Sequence, residues 1–119
     1  MAAPGPILVA TDLSAHARHA AVRAARLAHE TQSALTLMHV LPTEPLAQMR
    51  AWLGASRASE QDMRDEARGQ LRQLASKLAS ARQVDVNIED AAGSALDEIV
   101  RMAERVDARL LVLGARGVG

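Results

Sequence analysis

The sequence predicts an α/β domain: an open parallel sheet with helices on both faces and its four strands in the order 3-2-1-4. Short apolar runs alternate with segments of helical period, giving the pattern β-α-β-α-β-α-β. The run at residues 7–10 is continuously apolar, the habit of a strand covered on both faces of a parallel sheet; residues 110–113 are a further continuous apolar run, which a chain ending at residue 119 is expected to leave as an unprotected sheet edge. A third run, residues 84–89, alternates Val84, Val86 and Ile88 with Asp85, Asn87 and Glu89, so it belongs at a sheet edge.

The first strand, Ile7 to Ala10, follows a Pro/Gly lead-in and ends at the turn Thr11-Asp12-Leu13-Ser14. Ser14 is a suitable N-cap for the helix that runs to about Glu30. That helix places Ala17, Ala21, Ala24, Ala25 and Ala28 on one face, and His19, Arg23, Arg26 and Glu30 on the other. Leu35 to Leu41 forms the second strand, closed by Pro42. Residues 45–82 contain a long helical region whose second half is marked by the stripe Ala67, Leu71, Leu74 and Leu78. The first half, around Trp52, Gly54 and Ser56, reads as a loop or a broken helix. After the edge strand, Gly93-Ser94 opens a third helix, with Ser94 and Asp97 at capping-box-like spacing. Leu96, Ile99, Val100 and Ala103 are its expected buried stripe. The fourth strand, residues 110–113, runs into Gly114-Ala115-Arg116-Gly117-Val118-Gly119.

The chain of 119 residues is expected to be a single domain over residues 1–119. Phe and Tyr are absent and Trp52 is the sole aromatic, so Ala, Leu, Val, Ile and Met must build the core. Aromatic platforms for single-stranded nucleic acid are missing too. Fourteen basic residues balance fourteen acidic ones, which predicts no field that would collect nucleic acid or anionic lipid. Without cysteine there is no disulfide, thiolate nucleophile or cysteine metal site. No apolar run reaches the roughly 20 residues of a membrane span, and residues 1–6 lack the regions of a signal peptide. A cytoplasmic protein with no nucleic-acid or membrane partner is expected.

In a sheet of order 3-2-1-4 the winding reverses between the first and fourth strands, and ligands bind at the carboxyl ends beside that reversal. Two loops open there. Gly114, Gly117 and Gly119 give G-x-x-G-x-G after a strand, a loop able to turn its N–H groups toward a phosphate, with Arg116 adding charge. The alternative is a glycine-rich strand exit without a ligand. No Gly-Lys-Ser/Thr follows, so it is not a Walker loop, and it lacks the Rossmann fingerprint. Asp12, just past the first strand, could accept hydrogen bonds from ribose or hold magnesium; otherwise it is a turn or capping residue. His16, His19 and His29 read as a solvated helix face, and His39 as a hydrogen-bonded structural histidine. Met38, Met63 and Met102 read as core filler, and the mixed-sign residues 60–68 as an exposed helical face.

These segments resemble the universal stress proteins. Residues 7–14, Ile-Leu-Val-Ala-Thr-Asp-Leu-Ser before an alanine-rich helix, are similar to the family's opening. So are Leu37-Met38-His39-Val40 to its second strand, residues 93–99 to its loop into the third helix, and residues 110–117 to its fourth strand and glycine loop. The resemblance covers nearly the whole chain in the correct order. It implies a five-stranded parallel sheet, a homodimer in the complete protein (not extended to this shorter chain), and, in one branch, bound ATP with Mg2+. Carried over by position, Asp12 would hold the ribose, and the backbone around Ala10, Thr11 and Val40 would meet the adenine. Gly114 and Gly117 would receive the phosphates.

The family's ATP-binding branch continues past this loop to a second Gly followed by Ser or Thr, then a helix and a fifth strand. The sequence stops at Gly119, before these elements, and reads as a truncated chain. Three functional readings follow. The leading one is a stress-response regulatory domain that binds adenine nucleotide with little or no turnover. The second is a nucleotide-free dimerising module of the same family. The last is an adenylating or nucleotide-hydrolysing enzyme of the wider superfamily, disfavoured because Thr-Asp-Leu-Ser stands where such enzymes carry a Ser-Gly-Gly-x-Asp-Ser-type loop.

Overall fold

The computed structural model describes residues 5–43 and 57–114. The expected loop or broken helix around Trp52, Gly54 and Ser56 lies outside the described residues, as do Arg116, Gly117 and Gly119. The elements are β1 (Ile7–Thr11), α1 (Ala15–Thr31), β2 (Leu35–Pro42), α2 (Arg57–Arg82), β3 (Val86–Gly93), α3 (Ala95–Arg105) and β4 (Leu110–Gly114). All four strands are parallel in the order β3-β2-β1-β4, as the alternation and the polar edge strand predict.

The phase of β1 explains the layering. Ile7 and Val9 point to a core made with Ala21, Ala24, Ala25 and Ala28 of α1 and Leu71, Leu74 and Leu78 of α2. Leu8 and Ala10 point the other way, to Met38, Met102 and the partly buried Val40, Ala91 and Ile99. Helices α1 and α2 therefore cover one face, and α3 the other. The alanine face of α1 lets that helix lie close to the sheet, and all five alanines are buried. The Ser14 hydroxyl accepts the Ala17 N–H at 3.1 Å to start α1. Gln32, in the left-handed region at φ 54°, ends it by returning its N–H to Ala28 and His29 carbonyls.

Several expectations need correction. Leu96 and Val100 are 72% and 46% exposed. Helix α3 lies on β2 and β3, which turns Met102, Ile99 and Ala103 inward and leaves the 96/100 stripe on its flank. Strand β4, by contrast, forms an apolar edge of the four-stranded sheet, as expected, with Leu111 39% and Leu113 63% exposed because α3 does not sit over them. Met63 is exposed on the outer side of α2, whereas Met38 and Met102 are core. Strand β3 starts at Val86 and continues to Gly93, because β2 supplies register partners out to Pro42. Ser94 is the N-cap of α3, but its side chain makes no capping hydrogen bond.

Candidate functional site at the strand carboxyl ends

The exits of β1 and β4 are brought together. Thr11 is the register partner of Gly114, and the Asp12 N–H donates to the Gly114 carbonyl at 3.1 Å. Beyond this bond the chain turns sharply. The Thr11 hydroxyl accepts the Leu13 N–H at 3.0 Å, and Asp12 Oδ1 accepts the Ser14 N–H at 2.9 Å. Leu13 takes φ 65° to close the turn. Asp12 is thus a turn residue whose side chain is nonetheless exposed at the sheet end. One of its oxygens organises the loop.

Ala10 and Val40 share the α3 side of the sheet. Ala10 pairs with Met38, so two residues further along each strand Val40 rises toward the level of Asp12. A small apolar wall therefore stands beside the carboxylate. Thr11, only 5% exposed, points to the opposite side, so its hydroxyl serves the turn and only its backbone could face a ligand. Gly114 has a packing reason of its own. A Cβ there would lie 3.1 Å from the Ala17 carbonyl oxygen and 3.3 Å from Ala17 Cα. The structure thus gathers Ala10, Thr11, Asp12, Val40 and Gly114 at one sheet end; Arg116 and Gly117 lie outside the described residues.

A charged cluster missed in the sequence borders this end on the α2 side. Asp90 is the register partner of His39. Its carboxylate accepts Arg64 Nη2 at 3.1 Å and Arg68 Nε at 3.0 Å, with Arg68 Nη2 also in contact. Burial alone would push this carboxyl up, but the hydrogen bonds and charges of Arg68 and Arg64 together outweigh it and hold it below its ordinary range. Half-buried His39 is pushed down by burial, against the opposing pull of Asp12 and Asp90. The local signal was present: Val86, Ile88 and Asp90 alternate onto one strand face, and Arg64 and Arg68 are four apart on a helix.

A group whose carboxyl is depressed in the fold stabilises it above the unfolded value of 3.8 and loses that contribution as pH falls through the folded value. Asp90→Asn is therefore expected to cost about 1–2 kcal/mol at neutral pH, since both arginines are partly solvated. The penalty should shrink in acid. Urea unfolding of both proteins between neutral pH and about pH 3 measures this; a penalty constant across that range would contradict the assignment.

Among the described residues there is no group of three or more His, Asp or Glu able to hold a metal ion. A magnesium ion would then depend on ligand phosphates for most of its oxygens. Among them, too, no helix is long and apolar enough to cross a membrane.

Comparison with known proteins fits this geometry. The model of the universal stress protein family matches residues 5–119. A search of curated proteins finds no match. Among solved structures, the protein Rv1636 from Mycobacterium tuberculosis H37Rv is 23% identical with a TM-score of 0.66, covering 100% of this chain and 77% of its own. A universal stress protein from Archaeoglobus fulgidus is 24% identical with a TM-score of 0.71, covering 93% and 76%. A universal stress protein in complex with cAMP is 21% identical with a TM-score of 0.61, covering 92% and 71%. At these identities the structures establish the shared fold. The family match, running from just before β1 through the exit of β4, goes further: the chain belongs to the universal stress protein family.

Proposed function

We propose that this domain is a stress-response regulatory module that binds an adenine nucleotide, ATP with Mg2+ foremost, at the carboxyl ends of β1 and β4. The observation that carries the reading is the bond from the Asp12 N–H to the Gly114 carbonyl, which joins the two exits into one site. The Asp12 carboxylate accepts the ribose hydroxyls. The adenine lies along the apolar wall of Ala10 and Val40, next to the backbone of Thr11. Gly114 begins the loop that receives the phosphates, continued by Arg116 and Gly117. The residues present suit such a ligand: an exposed acceptor beside small apolar side chains and strand-end backbone. Binding is the function proposed.

The complex of one structural neighbour with cAMP supports the nucleotide class and sets the competitor. Calorimetric titration with Mg-ATP, Mg-ADP and cAMP tests the reading. Asp12→Ala is expected to weaken the preferred nucleotide about ten- to a hundredfold, the loss of one charge-assisted contact. No binding by any of the three, or an indifferent Asp12→Ala variant, would remove the proposal.

A second reading, a nucleotide-free dimerising module, draws on the exposed Leu111 and Leu113 of β4 and on the exposed Leu96 and Val100 of α3. Sedimentation of the protein with and without nucleotide separates the two. A dimer indifferent to every nucleotide would favour this one.

A further inference from the structure

The net charge is zero, but the charges are sorted in space. Residues 15–29 carry Arg18, Arg23 and Arg26 with no Asp or Glu, and residues 69–84 carry Arg72, Lys77 and Arg82, again with none. These two stretches are α1 up to its last turn, where Glu30 stands, and the second half of α2, packed side by side over the same sheet face. Nine of the fourteen carboxylates stand in the first turns of α2, on β3 and on α3. A balance of fourteen against fourteen is therefore compatible with a basic helical surface.

Between α1 and α2 runs a groove of about 280 Å³. Arg18, Lys77 and Arg82 stand along it, Val22, Leu74 and Leu78 form its floor, and none of its lining residues is acidic. Among the described residues these three cations are in no ion pair, whereas Arg64, Arg68, Arg101 and Arg105 each have a carboxylate. Holding like charges around an apolar floor without counter-ions works against the isolated domain and favours a partner that supplies them.

We propose that the α1–α2 groove docks an acidic amphipathic helix of a partner protein. Its apolar stripe would lie over Val22, Leu74 and Leu78, and its flanking carboxylates would meet Arg18, Lys77 and Arg82. A third helix laid between two packed helices is ordinary ridge-and-groove geometry. Duplex nucleic acid has no apolar stripe for this floor. A bilayer needs protruding apolar side chains, while Leu74 and Leu78 are recessed at 9% and 3% exposure. The groove is on the opposite sheet face from Ala10 and Val40, so the docked helix and the nucleotide site are separate.

The test is fluorescence anisotropy with a labelled synthetic helix of about two to three heptads, bearing a Leu/Ala stripe flanked by Glu. Its controls are the Glu→Gln version of the peptide, a duplex oligonucleotide and vesicles rich in anionic lipid. Saturable binding of the acidic helix is expected, weakened at least about tenfold by Arg18→Glu with Lys77→Glu and by raising salt from about 0.05 to 0.3 M. Circular dichroism and Mg-ATP titration of the double variant verify that it is folded. Equal binding of the Glu→Gln peptide, indifference to the charge reversals, or binding of the oligonucleotide or vesicles in preference to the peptide would each overturn the proposal. Self-association relieved by the same reversals would overturn it too, by making a second copy the occupant.

Discussion

Replacing Gly114 by valine is expected to lower the unfolding free energy by about 3 kcal/mol and to weaken nucleotide binding in the protein that remains folded. A Cβ at this position would press on the backbone of Ala17, with 3.1 Å to its carbonyl oxygen and 3.3 Å to its Cα and Cβ. Ala17 is fully buried and its N–H is held by the Ser14 cap, so no side chain can swing out of the way. The first turn of α1 or the end of β4 has to shift. A single methyl, as in Gly114→Ala, asks for a few tenths of an ångström and should cost about 1 kcal/mol; two more carbons cannot be accommodated so cheaply. Either shift acts on the bond between the Asp12 N–H and the Gly114 carbonyl, which sets the spacing of the two strand exits. Denaturant unfolding of the Gly, Ala and Val proteins, paired with nucleotide titration, measures both effects. The informative result is the ordering. A valine variant as stable as the parent would mean that α1 yields freely, and the coupling of packing to site would be lost.

Gly114 also illustrates what could be read from the chain alone. The strand order, and hence the meeting of Asp12 with Gly114, follows from local pattern. Asp85, Asn87 and Glu89 mark the third strand as an edge, and β4 then has only β1 to join. The five alanines of α1 were equally legible, because a run of small residues at helical spacing has one obvious face to bury. Phase on α3 was not. Leu96/Val100 and Ile99/Met102 are neighbouring stripes of one helix, and the choice between them depends on Met38, Val40 and Ala91 beneath, which no local period reveals. Asp90 was missed for a related reason. Its arginine partners are 22 and 26 residues away, and nothing in the strand's own alternation points to them. Net charge, being a sum, says nothing of where the charges stand.

The largest stability effect is expected at Leu37, where Leu37→Ala should cost about 4 kcal/mol, toward the upper end for such truncations. Leu37 has no exposed surface and sits in the middle of β2, opposite Val9 on one side and Ile88 on the other. Hydrogen bonds on both edges keep that strand from sinking into a void. The neighbours above are Ala21, Ala24, Ala25 and Ala28, with no atoms beyond Cβ to lean into the space, and Leu71, Leu74 and Leu78, already packed. With neighbours that short or already packed, most of the cavity term should survive. The domain as a whole has about 5–15 kcal/mol to lose. Leu27→Ala, at a position 37% exposed on α1, is the comparison and should cost less than about 1 kcal/mol. Urea unfolding with an unchanged m-value checks both; a loss below about 1.5 kcal/mol at Leu37 would show that the alanine layer closes after all. Because Leu37 faces α1 and α2 while Ala10 and Val40 face α3, the folded Leu37→Ala protein should keep its nucleotide affinity. Asp12→Ala should do the reverse, losing affinity with little change in stability, and that opposite pair of outcomes separates the core from the site.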